Sequence, residues 1–518
     1  MFCDEVPQAI RLLVPIDRSE RGMNMMATSG PSLLATDGYK LSMAEAGYPL
    51  RQETFYFSHR KGGPQVLPFD AKALVAKLLP TPKDGDYAFL ASHGYDMGAG
   101  FKAAIVDQDA LVVRALPKGA WFLPREPFLT ITGPSALVSW LEPLLLQASF
   151  RIQVATLALT DPEALARELA VLTCDDELAI VRETLDEVQK LVPTAKGLSP
   201  ALRVDADAYG ERVAARVKKL SEIVGDPVRI FEVGLRAATC IGQHRVALSA
   251  AKGAGLSRTS HPFLARELGM IPVGTMGHEH VQRFGSDEEA FRAMRDRRPT
   301  RSSFLLDTFD TLRSGMPSAF RLMAERPNAG DSVRYDSGDK EAQVRECVRR
   351  GKELGLAPVH ILEDSFDVEL TERFEKLRRE LGVDEKHQFY GYGGFLIAST
   401  SGRSLTRDKV AAVYKLSMSG PHASMKFGDE KGAGKESLPG VPLVARRVRG
   451  DGPVGLVVQD GEALPDGYVA GESLSGSALT AARDIPDAVF APSPATAALV
   501  SVCRIARERV VANEGRAG

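Results

Sequence analysis

Between residues 270 and 415 short apolar runs alternate with stretches whose apolar residues recur every three or four positions. The runs at 270–273, 303–306, 332–335, 358–362 and 388–390 predict strands. The stretches between them predict helices. Ser286 with Glu289 forms a capping box, acids fill the first turn, and Arg295, Arg297 and Arg298 close the helix before Pro299. A second helix is expected over about 340–354. A third carries Leu370, Phe374, Leu377 and Leu381 in 4-3-4 spacing. Repeated strand–loop–helix units imply crossovers and therefore parallel strands. Each run ends in polar or glycine residues: the Gly274 turn before His278, then Asp307, Asp336, Asp364 and Gly391-Tyr392-Gly393-Gly394. In a β/α barrel those C-terminal strand ends hold the active site.

The expected fold class is α/β, with an irregular β/α barrel core over 227–414. The flanks read differently. Residues 31–157 mix β-like runs (54–57, 110–113, 128–131) with loops, and 415–518 are rich in Gly, Pro, Arg and β-branched residues. Together they predict an α/β domain built from N- and C-terminal segments. Residues 158–226 are charge-rich with a helical pattern, as in 211–223, and read as an inserted helical element on the surface. Residues 1–30 predict a flexible tail. Their apolar patch at 10–16 contains Arg11, which does not suit a signal peptide.

The 518 residues carry a formal net charge of −2, so no global basic field points to nucleic acid. No apolar run reaches the roughly 18 residues of a membrane span. The five cysteines, at 3, 174, 240, 347 and 503, form no CxxC pair. Free thiols in a reducing cytoplasm fit that spacing best.

Val333-Arg334-Tyr335-Asp336-Ser337-Gly338-Asp339 carries the strongest chemical signal. Alternation along a strand puts Arg334 and Asp336 on one face. A guanidinium beside a carboxylate at a strand end suits a site that binds an anion and handles a sugar or a cation. A plain ion pair is the competing reading. His278 follows a strand and a small-residue turn in a Gly-Thr-x-x-His pattern; imidazole is a competent nucleophile toward a phosphoryl group, and small residues let phosphates approach the backbone. His280 reads as a supporting residue at best.

Seven segments in order resemble one family. They are Leu33-Leu34-Ala35-Thr36-Asp37-Gly38-Tyr39-Lys40-Leu41-Ser42-Met43, Phe231-Glu232-Val233-Gly234-Leu235-Arg236-Ala237-Ala238, Arg258-Thr259-Ser260-His261, and Gly274-Thr275-Met276-Gly277-His278-Glu279. Leu305-Leu306-Asp307-Thr308-Phe309-Asp310-Thr311, the 333–339 segment and Lys435-Glu436-Ser437-Leu438-Pro439-Gly440 complete the set. The pattern resembles nicotinate phosphoribosyltransferase, of the type II phosphoribosyltransferase group that also contains nicotinamide phosphoribosyltransferase. It covers about residues 33–157 and 229–447.

The resemblance implies a cytoplasmic enzyme of NAD biosynthesis. Nicotinate and 5-phosphoribosyl 1-pyrophosphate would give nicotinate mononucleotide and pyrophosphate. ATP hydrolysis would be coupled through a phosphohistidine at His278, with Mg2+ as cofactor. Arg334 would face the base's carboxylate, bidentately. Asp336 would hold either the ribose hydroxyls or the magnesium, and with Asp307 would complete the catalytic group. Nearby carboxylates stabilise an oxocarbenium-like state. Arg236 would contact the donor's phosphates, and Gly393 with Gly394 would cradle the 5-phosphate. Asp37 and Tyr39 would reach into a neighbouring subunit's site, the tyrosine stacking on the pyridine ring, in a homodimer with shared active sites. Lys415, Lys426 and Lys435 can neutralise ATP or pyrophosphate.

The base itself is argued from 258–261. Ala35-Thr36-Asp37-Gly38-Tyr39-Lys40 and the 391–394 turn lean toward the nicotinamide-using branch, where an aspartate meets the amide nitrogen. Here Arg258-Thr259-Ser260-His261 supplies no acid, and Ser260 tolerates a carboxylate. That favours nicotinate. Nicotinamide transfer, or a non-catalytic nucleotide-binding relative, are the alternatives. The insertion at 158–226 is longer than the family pattern.

Overall fold

A computed structural model describes residues 30–47, 50–195, 199–427, 436–485 and 491–516. The expected flexible tail therefore lies almost wholly outside the described residues, as does Lys435. Seven parallel strands form the central sheet. Their order is Ile271–Pro272, Arg258–Thr259, Ile230–Glu232, Gln388–Tyr392, Val359–Leu362, Ser332–Tyr335 and Ser303–Leu305. Among the described residues no ladder joins the first of these to the last, so the sheet curls into a half-barrel with an open seam. The inner strands read as apolar runs because both their faces are covered; all four residues of Ser332–Tyr335 are buried.

The helices start where their caps predict. Ser286 Oγ accepts from Glu289 N at the head of Asp287–Arg297. Asp339 and Asp367 do the same for Lys340–Leu354 and Val368–Leu381.

The second sheet is antiparallel and five-stranded. Its order is His422–Ala423, Ala412–Ser419, Gln52–His59, Leu129–Pro134 and Val112–Ala115. It joins both ends of the chain: Phe57 pairs with Tyr414 and Glu53 with Ser419. Its C-terminal contribution begins at Ala412, inside the stretch read as barrel. A separate four-stranded sheet follows, with Pro442–Arg447 and Gly455–Gln459 at its centre. The last helix, Pro494–Arg516, leaves that sheet and docks on the barrel. Cys503 and Val511 join the barrel core, and Arg507 Nε donates to Phe309 O at 2.9 Å.

Residues 158–226 do not behave as one surface insertion. Helix Asp175–Leu191 packs beside Glu142–Thr160 in a core of its own. Helix Ala206–Val224 instead belongs to the barrel core. Tyr209, Val213, Val217, Leu220 and Val224 recur at 4-4-3-4 spacing and are all buried there, and Tyr209 donates to Ile397 O at 2.9 Å. The density of charge on its other face hides this stripe in the sequence.

Candidate active site

The C-terminal ends of the barrel strands face the antiparallel sheet across a cleft of about 700 Å³. From the barrel side Arg236, Ser260, His278, Arg334 and Asp336 line it. Lys415 and Lys426 close the other side. Asp37 and Tyr39 line the same cleft of the same chain, a different placement from the expected reach into a neighbouring subunit. Their segment is docked locally: Gly38 N donates to Ser260 O at 2.6 Å.

The glycines before His278 explain that docking. A Cβ on Gly274 would lie 2.0 Å from the carbonyl oxygen of Gly38, and one on Gly277 would lie 2.9 Å from the Tyr39 ring. These small residues make room for the Asp37–Tyr39 backbone and ring, where the sequence suggested room for phosphate. Tyr39 donates its hydroxyl to Glu142. Lys40, fully buried, bridges Glu142 at 2.8 Å and Glu279 at 2.5 Å, tying this segment to the residue after His278.

His278 opens the short helix His278–Phe284. Its Nε2 lies 3.2 Å from Asp336 Oδ2, and its Nδ1 lies 3.1 Å from Thr308 Oγ1. Burial and Lys426 push the imidazole down to about 4, against the pull of Asp307 and Asp336, so it is neutral at neutral pH. Burial alone would raise Asp336, but Arg334, His278 and Lys426 hold its carboxyl well below the usual carboxylate range. An ionised carboxylate only accepts, so Nε2 carries the proton and Nδ1 keeps its lone pair.

Asp307 stands just behind. Its Oδ2 accepts from Ser337 Oγ at 2.5 Å, while Oδ1 is buried, makes no hydrogen bond among the described residues and lies 3.8 Å from His278 Nε2. His278, Asp307 and Asp336 each offer a ligand atom within 4.8 Å of the others. Two carboxylates with an unpartnered oxygen suit a hard divalent cation such as Mg2+.

Arg334 lines the cleft but is already engaged. It donates to Thr275 Oγ1 at 2.6 Å, Met276 O at 2.9 Å and Asp336 Oδ1 at 3.2 Å, with Glu363 3.5 Å from its Nε. It thus spans the open seam of the barrel and also forms the plain ion pair. A substrate carboxylate would share this guanidinium with Asp336 and Glu363. Gly393 and Gly394 are not among the cleft-lining residues. A Cβ on Gly394 would lie 2.5 Å from Asp408 Oδ2, so that turn packs against protein. His280 points away, its Nε2 3.0 Å from Ala290 O.

No family model matches the chain. The nicotinate phosphoribosyltransferase of Bacillus subtilis is 28% identical over 196 residues, which is 37% of this chain and 39% of that protein. The chain is thus aligned with about two fifths of the length of that relative. The nicotinate phosphoribosyltransferase of Bos taurus is 26% identical over 448 residues, 81% of this chain and 77% of that one. The crystal structure of nicotinate phosphoribosyltransferase from Porphyromonas gingivalis superposes with a TM-score of 0.54 at 19% identity, covering 79% of this chain and 96% of that one. This chain is a relative of the nicotinate phosphoribosyltransferases. Its fold is the type II phosphoribosyltransferase fold.

Two residues that line this cleft were missed in the sequence, and one that was named has an unforeseen neighbour. Arg60 and Arg407 line it beside Lys415. Arg60 follows strand Gln52–His59 as Arg60-Lys61-Gly62-Gly63, so the strand-end argument applied to the first sheet would have found it. Arg407 sits in an irregular turn with no periodic signal. The unforeseen neighbour is an acid beside the 258–261 segment. Segment 258–261 has none, but Asp37 stands beside Ser260, and burial pushes its carboxyl up to about 7 against the pull of Arg236. Burial likewise drops Lys415 to about 7, although Glu142 opposes it.

Proposed function

We propose that the protein is a nicotinate phosphoribosyltransferase acting in NAD metabolism, with ATP hydrolysis coupled through phosphorylation of His278. The observation that carries this reading is the Asp336–His278–Thr308 arrangement in a cleft lined with cations. The names of the relatives support the phosphoribosyl transfer to nicotinate.

In the coupling step His278 Nδ1 attacks the γ-phosphorus of ATP. The N–P bond forms as the P–O bond breaks, and ADP leaves with the electron pair. Asp336 accepts the Nε2 proton's hydrogen bond and stabilises the ring as it gains positive character. Water later takes the phosphoryl group, and inorganic phosphate leaves. In base transfer the pyridine nitrogen attacks the anomeric carbon of 5-phosphoribosyl 1-pyrophosphate while the bond to pyrophosphate breaks. Asp336 and Asp307 face the positive charge that develops on the sugar, and Arg60, Arg407, Lys415 and Lys426 offset the charge of pyrophosphate. Magnesium held by Asp307 and Asp336 would supply further charge neutralisation at the phosphates.

Asp37 is the structural observation that favours nicotinamide, alongside the 35–40 and 391–394 segments, because an ionised carboxylate beside Ser260 can accept from an amide. Protonated, the same group can donate to the carboxylate of nicotinate, and its high pKa supports that form. The proposal includes a homodimer whose sites are each built from one chain. A cytoplasmic location fits the four free cysteines among the described residues.

Labelling tests the phosphohistidine. With ATP labelled at the γ-phosphate, the peptide containing His278 gains an acid-labile phosphate, and His278→Ala loses it along with stimulation by ATP. Labelling that persists in His278→Ala overturns the assignment.

A further inference from the structure

The strand that presents Ser260 to the cleft is barely a strand. The ladder between Ile230–Glu232 and Arg258–Thr259 consists of a single register pair, Glu232 with Thr259. Alternation sends Arg258 and Ser260 to the cleft, while Thr259 and His261, both fully buried, point the other way. A single pair holds the segment only weakly on that side, although its other edge pairs Arg258 with Ile271 and Thr259 with Pro272.

A side-chain network on the buried face does what the ladder does not. Glu232, fully buried, accepts from Thr259 Oγ1 at 2.6 Å, from His244 Nε2 at 2.9 Å, and from the backbone N–H of Gly234. His244 Nδ1 faces His261 Nδ1 at 3.0 Å, with the two rings stacked at 5.0 Å between centroids. The carboxylate fixes the tautomers. His244 donates from Nε2 to Glu232, so its Nδ1 accepts, and His261 donates from Nδ1. Thr259 Oγ1 also accepts from His261 N at 3.1 Å, and Ser260 N donates to Glu232 O at 2.8 Å. One carboxylate therefore anchors three pieces of cleft wall. These are the 258–261 segment, the Gly234 turn that leads into Arg236, and, through Ser260 O and Gly38 N, the Asp37 segment.

We propose that Glu232, acting through Thr259 and the His244–His261 pair, is the positioning residue of the base-binding wall. It touches no substrate. It sets where Ser260 and Asp37 stand, and so sets affinity for the pyridine base and the choice between its carboxylate and amide forms. This rests on the proposed base transfer and adds a residue to it.

Thr259→Val tests the proposal with a near-isosteric change that removes only the hydroxyl. KM for nicotinate should rise on the order of 10- to 100-fold, the cost of a small misplacement in a binding wall. KM for 5-phosphoribosyl 1-pyrophosphate and the extent of His278 labelling should stay within about twofold. Thr259→Ser, which keeps the oxygen, should restore the nicotinate KM. Glu232→Gln, which keeps one acceptor oxygen, should change the nicotinate-to-nicotinamide ratio of kcat/KM. An unchanged nicotinate KM in Thr259→Val overturns the proposal, and so does an equal rise in both KM values, which a merely structural role produces. Absence of nicotinate turnover in the wild-type enzyme would instead contradict the proposed function, so the two failures are told apart.

Discussion

In the proposed coupling step, the reactivity of His278 would come from its neighbours. Arg334 and Lys426 keep Asp336 ionised, which fixes the proton on Nε2 and leaves the Nδ1 lone pair for the proposed attack on phosphorus. Because the imidazole is held down to about 4, it stays neutral far below its usual range. The acid limb of ATP coupling is therefore expected near pH 4 rather than near 6.5, measured as the rate of His278 labelling against pH. The basic limb has another origin. Lys415 loses its charge as pH rises through about 7, and Asp37 gains one in the same window. Both changes repel anions, so KM for 5-phosphoribosyl 1-pyrophosphate should climb between pH 6 and 8. Lys415→Arg keeps its charge throughout and should flatten that climb; a climb of the same size in Lys415→Arg would assign it to other groups. The ion pair of Arg334 with Asp336 was legible from strand alternation alone. The pKa of Asp37 was not, because it depends on burial against segments more than a hundred residues away.

Elements explain how the site is aimed. Five of the seven barrel strands and the Ser286 cap were legible because their signals are local: an apolar run, a hydroxyl, a turn. Helix Ala206–Val224 was misread as surface because its buried stripe is narrow and its other face is charged. Leu220→Ala in that helix should cost about 2–5 kcal/mol, as a core truncation does, where a surface helix would lose little; chemical denaturation measures it. Gly274 makes a second test. A methyl there meets the Gly38 carbonyl oxygen at 2.0 Å, backbone against backbone. Gly274→Ala should cost about 1–3 kcal/mol and push the Asp37–Tyr39 segment off the cleft, raising KM for the base. If the glycine instead serves phosphate, the ATP-dependent step should suffer while the base KM stays unchanged.

At the scale of the molecule, the barrel half of the cleft was legible as an assembly, and the other half only as separate residues. The barrel half follows from strand ends that succeed one another along the chain. The other half comes from an antiparallel sheet in which Gln52–His59 pairs with Ala412–Ser419, so Arg60 and Lys415 become neighbours of one cleft only after a long-range pairing. No local pattern announces such a pairing. Once made, it puts Asp37, Lys415 and His278 in one chain's cleft. Coexpressed His278→Ala and Lys415→Ala chains should therefore show no recovery of activity over either alone, whereas sites shared between subunits would regain about a quarter in mixed dimers by random pairing. The proposed reaction is transfer to nicotinate with help from ATP. Its most direct test is the rate of nucleotide formation from 5-phosphoribosyl 1-pyrophosphate with nicotinate or nicotinamide, each with and without ATP. The account predicts nicotinate mononucleotide, formed faster with ATP and at that faster rate only when His278 is intact. Nicotinamide mononucleotide as the main product, or no product from either base, would contradict it.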